Sequence, residues 1–483
     1  MEELIKERNR IIWETDNTPG ILDYCFPDGT SFWLAIRLEL KFTMINSRAN
    51  KEVNWDSRIH FSRWKFYRYL LFSFWKSPFL FAGKTDVLRI ANWEKNPECP
   101  NRMTQFLTEY PQLSQVQLLY SQSMDRFGHL PGHRSFDYFY YASLFWARIF
   151  RRRPNAAAEN EVAAFIGLLK QKMGDWLTPE IADTLRRKLL QIHQLVPGYT
   201  KRIQKYLNRV KPKLVVVSEG NNGDWQKGSL FKICRESGIP TVEVQHGTVG
   251  IGMKYGEELV KDSKFKQHKT NYFFTFGMYH SQIVNAVDEC VEFGHYFLEK
   301  SLENITRIGP DPEGRVRILF IGEGIPYTAK DNGLVLAVSA ALEQLHFPFQ
   351  VTVRLHPTEE PNARYAELMK FEGARYSQVE DDNIYQLISD HEIIIGHIST
   401  VLFEALYFNK EPYVFEDDYT YFALPEGLGL WFKNGTELRG LMELNFPPKP
   451  VHDEVKRLFW AKGTTRENFT KFWNEKVGKP ILN

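Results

Sequence analysis

Four short stretches bring together groups that can hold an anion or move a proton: Ser218-Glu-Gly-Asn-Asn-Gly223, Gln245-His-Gly247, Arg354-Leu-His-Pro357, and Gly396-His-Ile-Ser-Thr400 with Glu404 one helical turn beyond it. In the third, Pro357 ends a strand and holds His356 extended at its tip. The imidazole then reaches outward and can donate a hydrogen bond to a phosphate oxygen, stabilising a nucleotide as it leaves. The plain alternative for a His-Pro pair is a rim histidine bonded to backbone. Ser399 and Thr400 open a helix, whose unsatisfied N–H groups and positive dipole end suit a phosphate. Ser399 also suits the ordinary work of capping that helix, and the two roles can coexist. Glu404 shares a face with Thr400 and can accept from ribose hydroxyls, or else be solvated. Gly322-Glu323-Gly324 lets a donor approach the backbone closely, without forming a dinucleotide fingerprint.

Proton transfer needs a base, and two residues on the amino-terminal side qualify. Glu219 and His246 each end a strand and can take the proton of an attacking hydroxyl. Asp224 is a third candidate, and Asn222, Gln245 and Gly247 complete an acceptor side. The alternative for His246 is a buried imidazole that fixes its loop.

These groups need strands to carry them. Asp86–Ala91 and Lys213–Ser218 read as buried strands, Gly228–Ser237 as a helix and Thr241–Gln245 as a strand, which is the order of a parallel sheet. Between Glu159 and Leu207 apolar residues recur at helical spacing, and Thr178-Pro179 and Pro197-Gly198 divide them into three helices. A second series begins at Arg315: strand Val316–Ile321, helix Gly333–Leu345, strand Gln350–Leu355, strand Glu392–Ile395, helix Thr400–Phe408 and strand Tyr413–Phe415. The expected fold class is α/β, two Rossmann-like domains facing a central cleft. Turn-rich Ile308–Gly314 lies between the halves. The divisions are an aromatic and basic region 1–84 packed on the first domain, an acceptor domain 85–310 and a donor domain 311–483. All four stretches then lie just beyond strands, where open parallel sheets bind ligands.

Composition sets limits. The 483 residues exceed the size of one typical core, and a net charge of +2 is too balanced to imply nucleic-acid binding. Cys25, Cys99, Cys234 and Cys290 form no CxxC pair, so neither a zinc site nor a disulfide framework is expected. Residues 1–10 are charged and lack the apolar core of a secretory signal, and Tyr67–Ala82 is too short and too broken by Arg68, Lys76 and Pro78 to span a bilayer. A cytoplasmic protein with reduced thiols is the expectation.

Taken in order, Gln-His-Gly, Arg-x-His-Pro and Ser-Thr-x-x-x-Glu-Ala resemble the bacterial surface-polysaccharide glycosyltransferases of GT-B fold, among them the polysialyltransferases and Kdo transferases. The resemblance covers about Thr85 to Asp418. It implies that His356, Ser399 and Thr400 bind the donor phosphate, with Arg354 and Pro357 beside them. It also implies a nucleotide-sugar donor, a CMP-sugar being favoured, and a polysaccharide or lipid-linked glycan as acceptor. No bound cofactor or metal is expected, since no Asp-x-Asp follows a strand. The polysialyltransferase base lies in an acidic pair followed by glycine, whereas Ser218-Glu219-Gly220 supplies one acid. Two other readings stay open: a nucleotide-sugar epimerase, and a non-catalytic nucleotide-binding component of polysaccharide assembly or export.

Finally, 57–85 contains no acidic residue and interleaves Arg58, Arg63, Lys65, Arg68, Lys76 and Lys84 with aromatics; 138–153 repeats the pattern. The aromatics can fill the first domain's core, the basic residues can line a groove for an anionic glycan, or the whole can meet the inner face of a membrane.

Overall fold

The computed structural model describes residues 2–48, 63–80, 83–91, 102–119, 134–150, 156–218, 224–247, 263–306, 308–322, 333–357, 359–378, 382–417, 420, 424–447 and 451–478. The first sheet contains β1 (Val87–Ala91), β2 (Gln115–Leu119), β3 (Arg134–Ser135), β4 (Leu214–Ser218), β5 (Thr241–Val244), β6 (Tyr272–Thr275) and β7 (Glu289–Glu292). The second contains β8 (Val316–Ile321), β9 (Phe349–Arg354), β10 (Arg375–Ser377), β11 (Ile393–Gly396), β12 (Tyr413–Phe415) and β13 (Leu430–Phe432). Their spatial orders are β3-β2-β1-β4-β5-β6-β7 and β10-β9-β8-β11-β12-β13. All the pairings are parallel.

The central strands read as continuous apolar runs because helices cover both of their faces. Every residue of β4, Leu-Val-Val-Val-Ser, is buried, and so is every residue of β11, Ile-Ile-Ile-Gly. Their β-branched side chains fit the pleated interior of a sheet. In each sheet the chain builds one flank first, then returns past its starting strand to build the other. The topological switch falls between β1 and β4 in the first sheet and between β8 and β11 in the second, so each half has the strand order of a Rossmann domain.

The first domain carries an extra helical layer. Helices Glu2–Asp16 and Phe32–Arg48 join helices Ala156–Met173 and Pro179–Val210 in one core that includes Trp33, Phe165, Leu189 and Val217. Thr178 caps the long helix by accepting from the Ile181 N–H, with Pro179 in the first turn. The sequence predicts that Pro197-Gly198 stops a helix; instead the helix runs unbroken for 32 residues. An interior proline costs about 3 kcal/mol. Leu195, Val196, Tyr199 and Ile203 stay buried on both sides of it, and burial of such side chains contributes about 1.5–3 kcal/mol each, so packing wins.

The boundary expected for the donor domain also shifts. The last helix, Thr465–Lys476, leaves the second domain and packs on the first, with Phe469 against Phe106 and Tyr110 and with Tyr110 Oη donating to the Arg466 carbonyl at 2.6 Å. A capping box between Thr464 and Glu467 starts it. Glu299 of the first half accepts from both the N–H and the hydroxyl of Thr465. Just before this helix the chain slides over Gly277: a Cβ there would lie 2.5 Å from Phe459 backbone atoms, so only glycine allows the crossing.

Candidate functional site

At that crossing the two sheets turn their carboxyl ends toward each other. Phe276 follows β6 and stacks on Trp460, whose indole N–H donates to the Phe403 carbonyl at 3.2 Å. Phe403 belongs to helix Thr400–Tyr407, directly after β11, and its ring faces Tyr279 and His280 of the first domain. Residues just beyond β6 therefore meet the helix that follows β11.

On the second rim, β8 lies between β9 and β11, which places Gly322 between the His356 loop and the 397–400 loop. Strand spacing puts the two outer loops roughly 10 Å apart. Gly322 donates to the Arg354 carbonyl at 2.8 Å. A Cβ on it would lie 2.8 Å from Tyr365 Oη and 3.0 Å from Glu359 Oε2, so a side chain here would push the His356 loop outward.

Glu359 holds that loop. Its carboxylate is buried and accepts from the His356 backbone N–H at 3.0 Å, from Tyr365 Oη at 3.0 Å and from Arg364 at 3.3 Å. His356 and Pro357 themselves are exposed at the sheet's edge. Crowding of the His356 imidazole pushes its pKa below the usual value while Glu359 pulls it up, the net direction being down. A neutral ring at pH 7 still offers one N–H donor.

Arg354 lies differently from a donor-binding side chain. It is buried, and its guanidinium donates to Ser377 Oγ at 2.8 Å and to the Gln378 carbonyl, tying β9 to β10. Ser399 caps helix Thr400–Tyr407, accepting from the Val401 N–H at 3.3 Å, and both Ser399 and Thr400 keep partial exposure at the helix start. Glu404 is buried rather than solvated and accepts from Tyr385 Oη at 3.4 Å.

The sequence reading passes over His397, the first residue after β11. It is buried, and its Nε2 lies 2.9 Å from both Asp417 Oδ1 and Thr420 Oγ1. Thr420 in turn donates from its backbone N–H to Asp417 and from its hydroxyl to the Phe415 carbonyl, which ties Thr420 back to the end of β12. Burial pushes the Asp417 pKa up, but the bonds from His397 and Thr420 outweigh it and hold the carboxyl below its usual range. Two local spacings carried this signal: a glutamate three residues after His356, and an aspartate two residues past β12 with a threonine three further on.

On the first rim, Gln245 is fully buried and works as a clamp. Its Oε1 accepts from the Phe276 N–H at 2.8 Å and its Nε2 donates to the Gly247 carbonyl at 3.0 Å. His246 and Gly247, next to it, keep partial exposure. Asp224 caps helix Trp225–Glu236 by accepting from the Gln226 N–H at 2.9 Å. Glu219, Asn222, Glu323 and Gly324 lie outside the described residues.

A cavity of about 400 Å³ opens at the other end of the second sheet, between the turn at Ile308–Pro312 and the side chains of Arg317, Thr352 and His391. It sits at the amino ends of the strands, whereas parallel sheets gather ligands at their carboxyl ends. Among the described residues no cluster of side chains suits a metal ion, and no helix is long and apolar enough to cross a membrane. Cys25, Cys234 and Cys290 are unpaired thiols.

No family profile and no curated protein sequence matches the chain. Similar solved structures include S. aureus MnaA with UDP, at 10% identity and a TM-score of 0.46, covering 82% of this chain and 99% of that one. The UDP-GlcNAc 2-epimerase of Neisseria meningitidis bound to UDP-GlcNAc is similar at 12% identity and a TM-score of 0.43, over 81% of this chain and 100% of that one. MurG of Acinetobacter baumannii is similar at 11% and 0.44, over 81% and 99%. At these scores the likeness adds nothing to what the strand order already shows: two parallel-sheet α/β domains.

Proposed function

We propose that this chain is an enzyme acting on a nucleotide-linked sugar, and that it transfers the sugar to a bacterial surface polysaccharide or lipid-linked glycan. The observation that supports this reading is the arrangement at the second sheet's switch point. An exposed imidazole, a buried glycine against which Glu359 and Tyr365 of the His356 loop pack, and a capped helix start stand there side by side on three adjacent strands. In that arrangement the acceptor oxygen attacks the anomeric carbon as the bond from that carbon to the phosphate oxygen breaks. The acceptor proton passes to Glu219 or His246, and the charge left on the phosphate is met by the His356 N–H and the helix N–H groups. The nucleotide base favoured is cytosine, on the resemblance of the His-Pro and Ser-Thr motifs.

A panel of CMP, CDP, UDP and GDP in thermal unfolding tests the donor pocket. A ligand at 100 times its Kd adds about 2.7 kcal/mol of stability, so one nucleotide should raise the Tm selectively. No response to any of them would remove the reading. Epimerisation at C2 of the sugar is the second reading. It is the activity named for the Neisseria meningitidis protein, and the same pocket would serve it. Incubating the responding nucleotide's sugar with acceptor glycan separates the two: transfer yields a lengthened glycan, epimerisation a new sugar with the glycan unchanged.

A further inference from the structure

The basic and aromatic segments divide in the structure. Leu70 and Tyr141 turn inward and pack on Ala91 and Leu119, the last residues of β1 and β2. Helix Arg63–Trp75 and helix Tyr138–Ile149 thus sit against each other over the carboxyl rim of the first sheet, with Phe74 meeting Tyr138 and Phe145 edge-on. The rest turns outward. On the first helix Tyr67, Leu71 and Trp75 fall at four-residue intervals and are 54%, 70% and 72% exposed. On the second, Trp146 and Phe150 stack on each other with Ile149 beside them, at 41%, 64% and 50% exposed.

A globular protein usually turns such a helix stripe inward. Here two helices in contact each bury one apolar stripe and turn three large apolar residues to solvent, more than the single exposed apolar residues ordinary on a surface. Its border is cationic. Arg68 and Arg148 are exposed, Lys76 lies with its ammonium 5.8 Å from the Trp75 ring centre, and Lys84 is exposed beyond them. No acidic residue occurs in 57–85 or 138–153.

We propose that this two-helix face docks the protein on an anionic lipid bilayer, with the aromatic stripe at the headgroup boundary and the arginines and lysines against lipid phosphates. Aromatic side chains that pair an apolar body with a polar edge settle at this boundary, and basic residues near the surface add attraction to an anionic leaflet. With no acidic residue in 57–85 or 138–153, the cations around the stripe match an anionic leaflet in sign. The face adjoins the rim where β1 and β2 end, so docking would bring the first domain's loops close to a lipid-linked acceptor. It stands apart from the donor pocket, so its failure would leave the nucleotide reading intact.

The test is co-sedimentation of the full chain with vesicles of phosphatidylcholine alone and of phosphatidylcholine with roughly 30% phosphatidylserine. The parent protein should bind the anionic vesicles at least about tenfold more tightly than the neutral ones, and added salt should weaken that binding. Leu71→Ser combined with Trp75→Ser should lower it by at least about tenfold. Because both residues are mostly exposed, the Tm and the nucleotide response should not move, and that pair of readouts shows that the variant is folded. Arg68→Gln with Arg148→Gln should abolish the preference for anionic lipid while keeping weak binding to both vesicles. Equal binding by the Leu71/Trp75 variant, or no binding by the parent to either vesicle, would overturn the proposal. So would a parent protein that elutes as a dimer while the variant elutes as a monomer, since a second copy would then be the occupant.

Discussion

The two sheets share one strand order, yet their carboxyl rims are built in opposite ways. The second rim is locked by polar side chains: Glu359 gathers the His356 loop, Arg364 and Tyr365, and His397, Asp417 and Thr420 close the loops after β11 and β12. Among the described residues of the first rim, Gln245 clamps the loop after β5 and the Thr275 and Ser281 hydroxyls meet at 2.7 Å after β6, and the rim also carries two helices with apolar residues turned to solvent. Topology decides where a site can form, and side chains decide whether the segments there are held by polar contacts or by apolar packing. A preorganised pocket suits a small charged donor, because dipoles already in place need no reorganisation when charge develops.

The comparison can be broken most sharply at His356. If the second rim is the donor pocket, His356→Ala should lower turnover by about 100- to 1,000-fold while leaving the Tm nearly unchanged, because the side chain is exposed. Steady-state kinetics beside a melting curve decides this; a variant with full activity would detach the imidazole from the chemistry. Glu359→Ala comes next. It removes the buried carboxylate to which Tyr365 Oη and the Arg364 guanidinium donate, which should cost about 3–5 kcal/mol in chemical denaturation and also abolish nucleotide-induced stabilisation. Gln245→Ala makes the matching cut in the first rim. With the Phe276 N–H left buried and unpaired, the expected cost is about 1–3 kcal/mol, and the nucleotide response should survive. Loss of that response would show that the rims are coupled rather than separate.

A further effect is one of pH. The folded state holds the Asp417 pKa down, so its contribution is complete above the ordinary aspartate value near about 3.9 and disappears as the pH falls through the lower folded value. His391, buried between the Leu387 carbonyl and Thr352 Oγ1, is pushed down to about 4. The unfolded chain therefore takes up a proton near about pH 6.5 that the folded chain refuses, and stability falls from there down to about 4. Urea midpoints measured across pH 3 to 7 (roughly the span of these ordinary pKa values) should show both windows. Asp417→Asn should flatten the lower one alone; a change in the upper one would mean that the two networks interact.

How much of this was legible in sequence varied with the kind of residue. Val316–Ile321 and Tyr413–Phe415 were readable to the residue, because a buried parallel strand is a run of β-branched and aromatic side chains between turns. Strand β7, Glu-Cys-Val-Glu, and β10, Arg-Tyr-Ser, were not: they lie at sheet edges, are three or four residues long, and are defined by the neighbour they pair with. Pro197 misled for a related reason, since local chemistry marks a break that tertiary burial overrides. On the second rim, the placement of His356 just beyond a strand and of Ser399 at a helix start was visible because proline and helix-start signals are local. The roles of Arg354 and Glu404 were not, because Ser377 and Tyr385 are brought to them only by the fold.

The returning last helix has a mechanical consequence. The backbone joins the halves once through the segment around 308–314 and again through 459–465, where Gly277 lets it pass. Two tethers forbid the free torsion that a single linker would allow, and what remains is bending about the line that connects them, a motion that widens or narrows the cleft without sliding one rim past the other. Cleavage at an engineered protease site after Lys462 should release that torsion while both sheets stay folded. X-ray scattering would then record a broader spread of dimensions, and an unchanged spread would mean that packing at Phe276 and Trp460, not the second tether, aligns the halves.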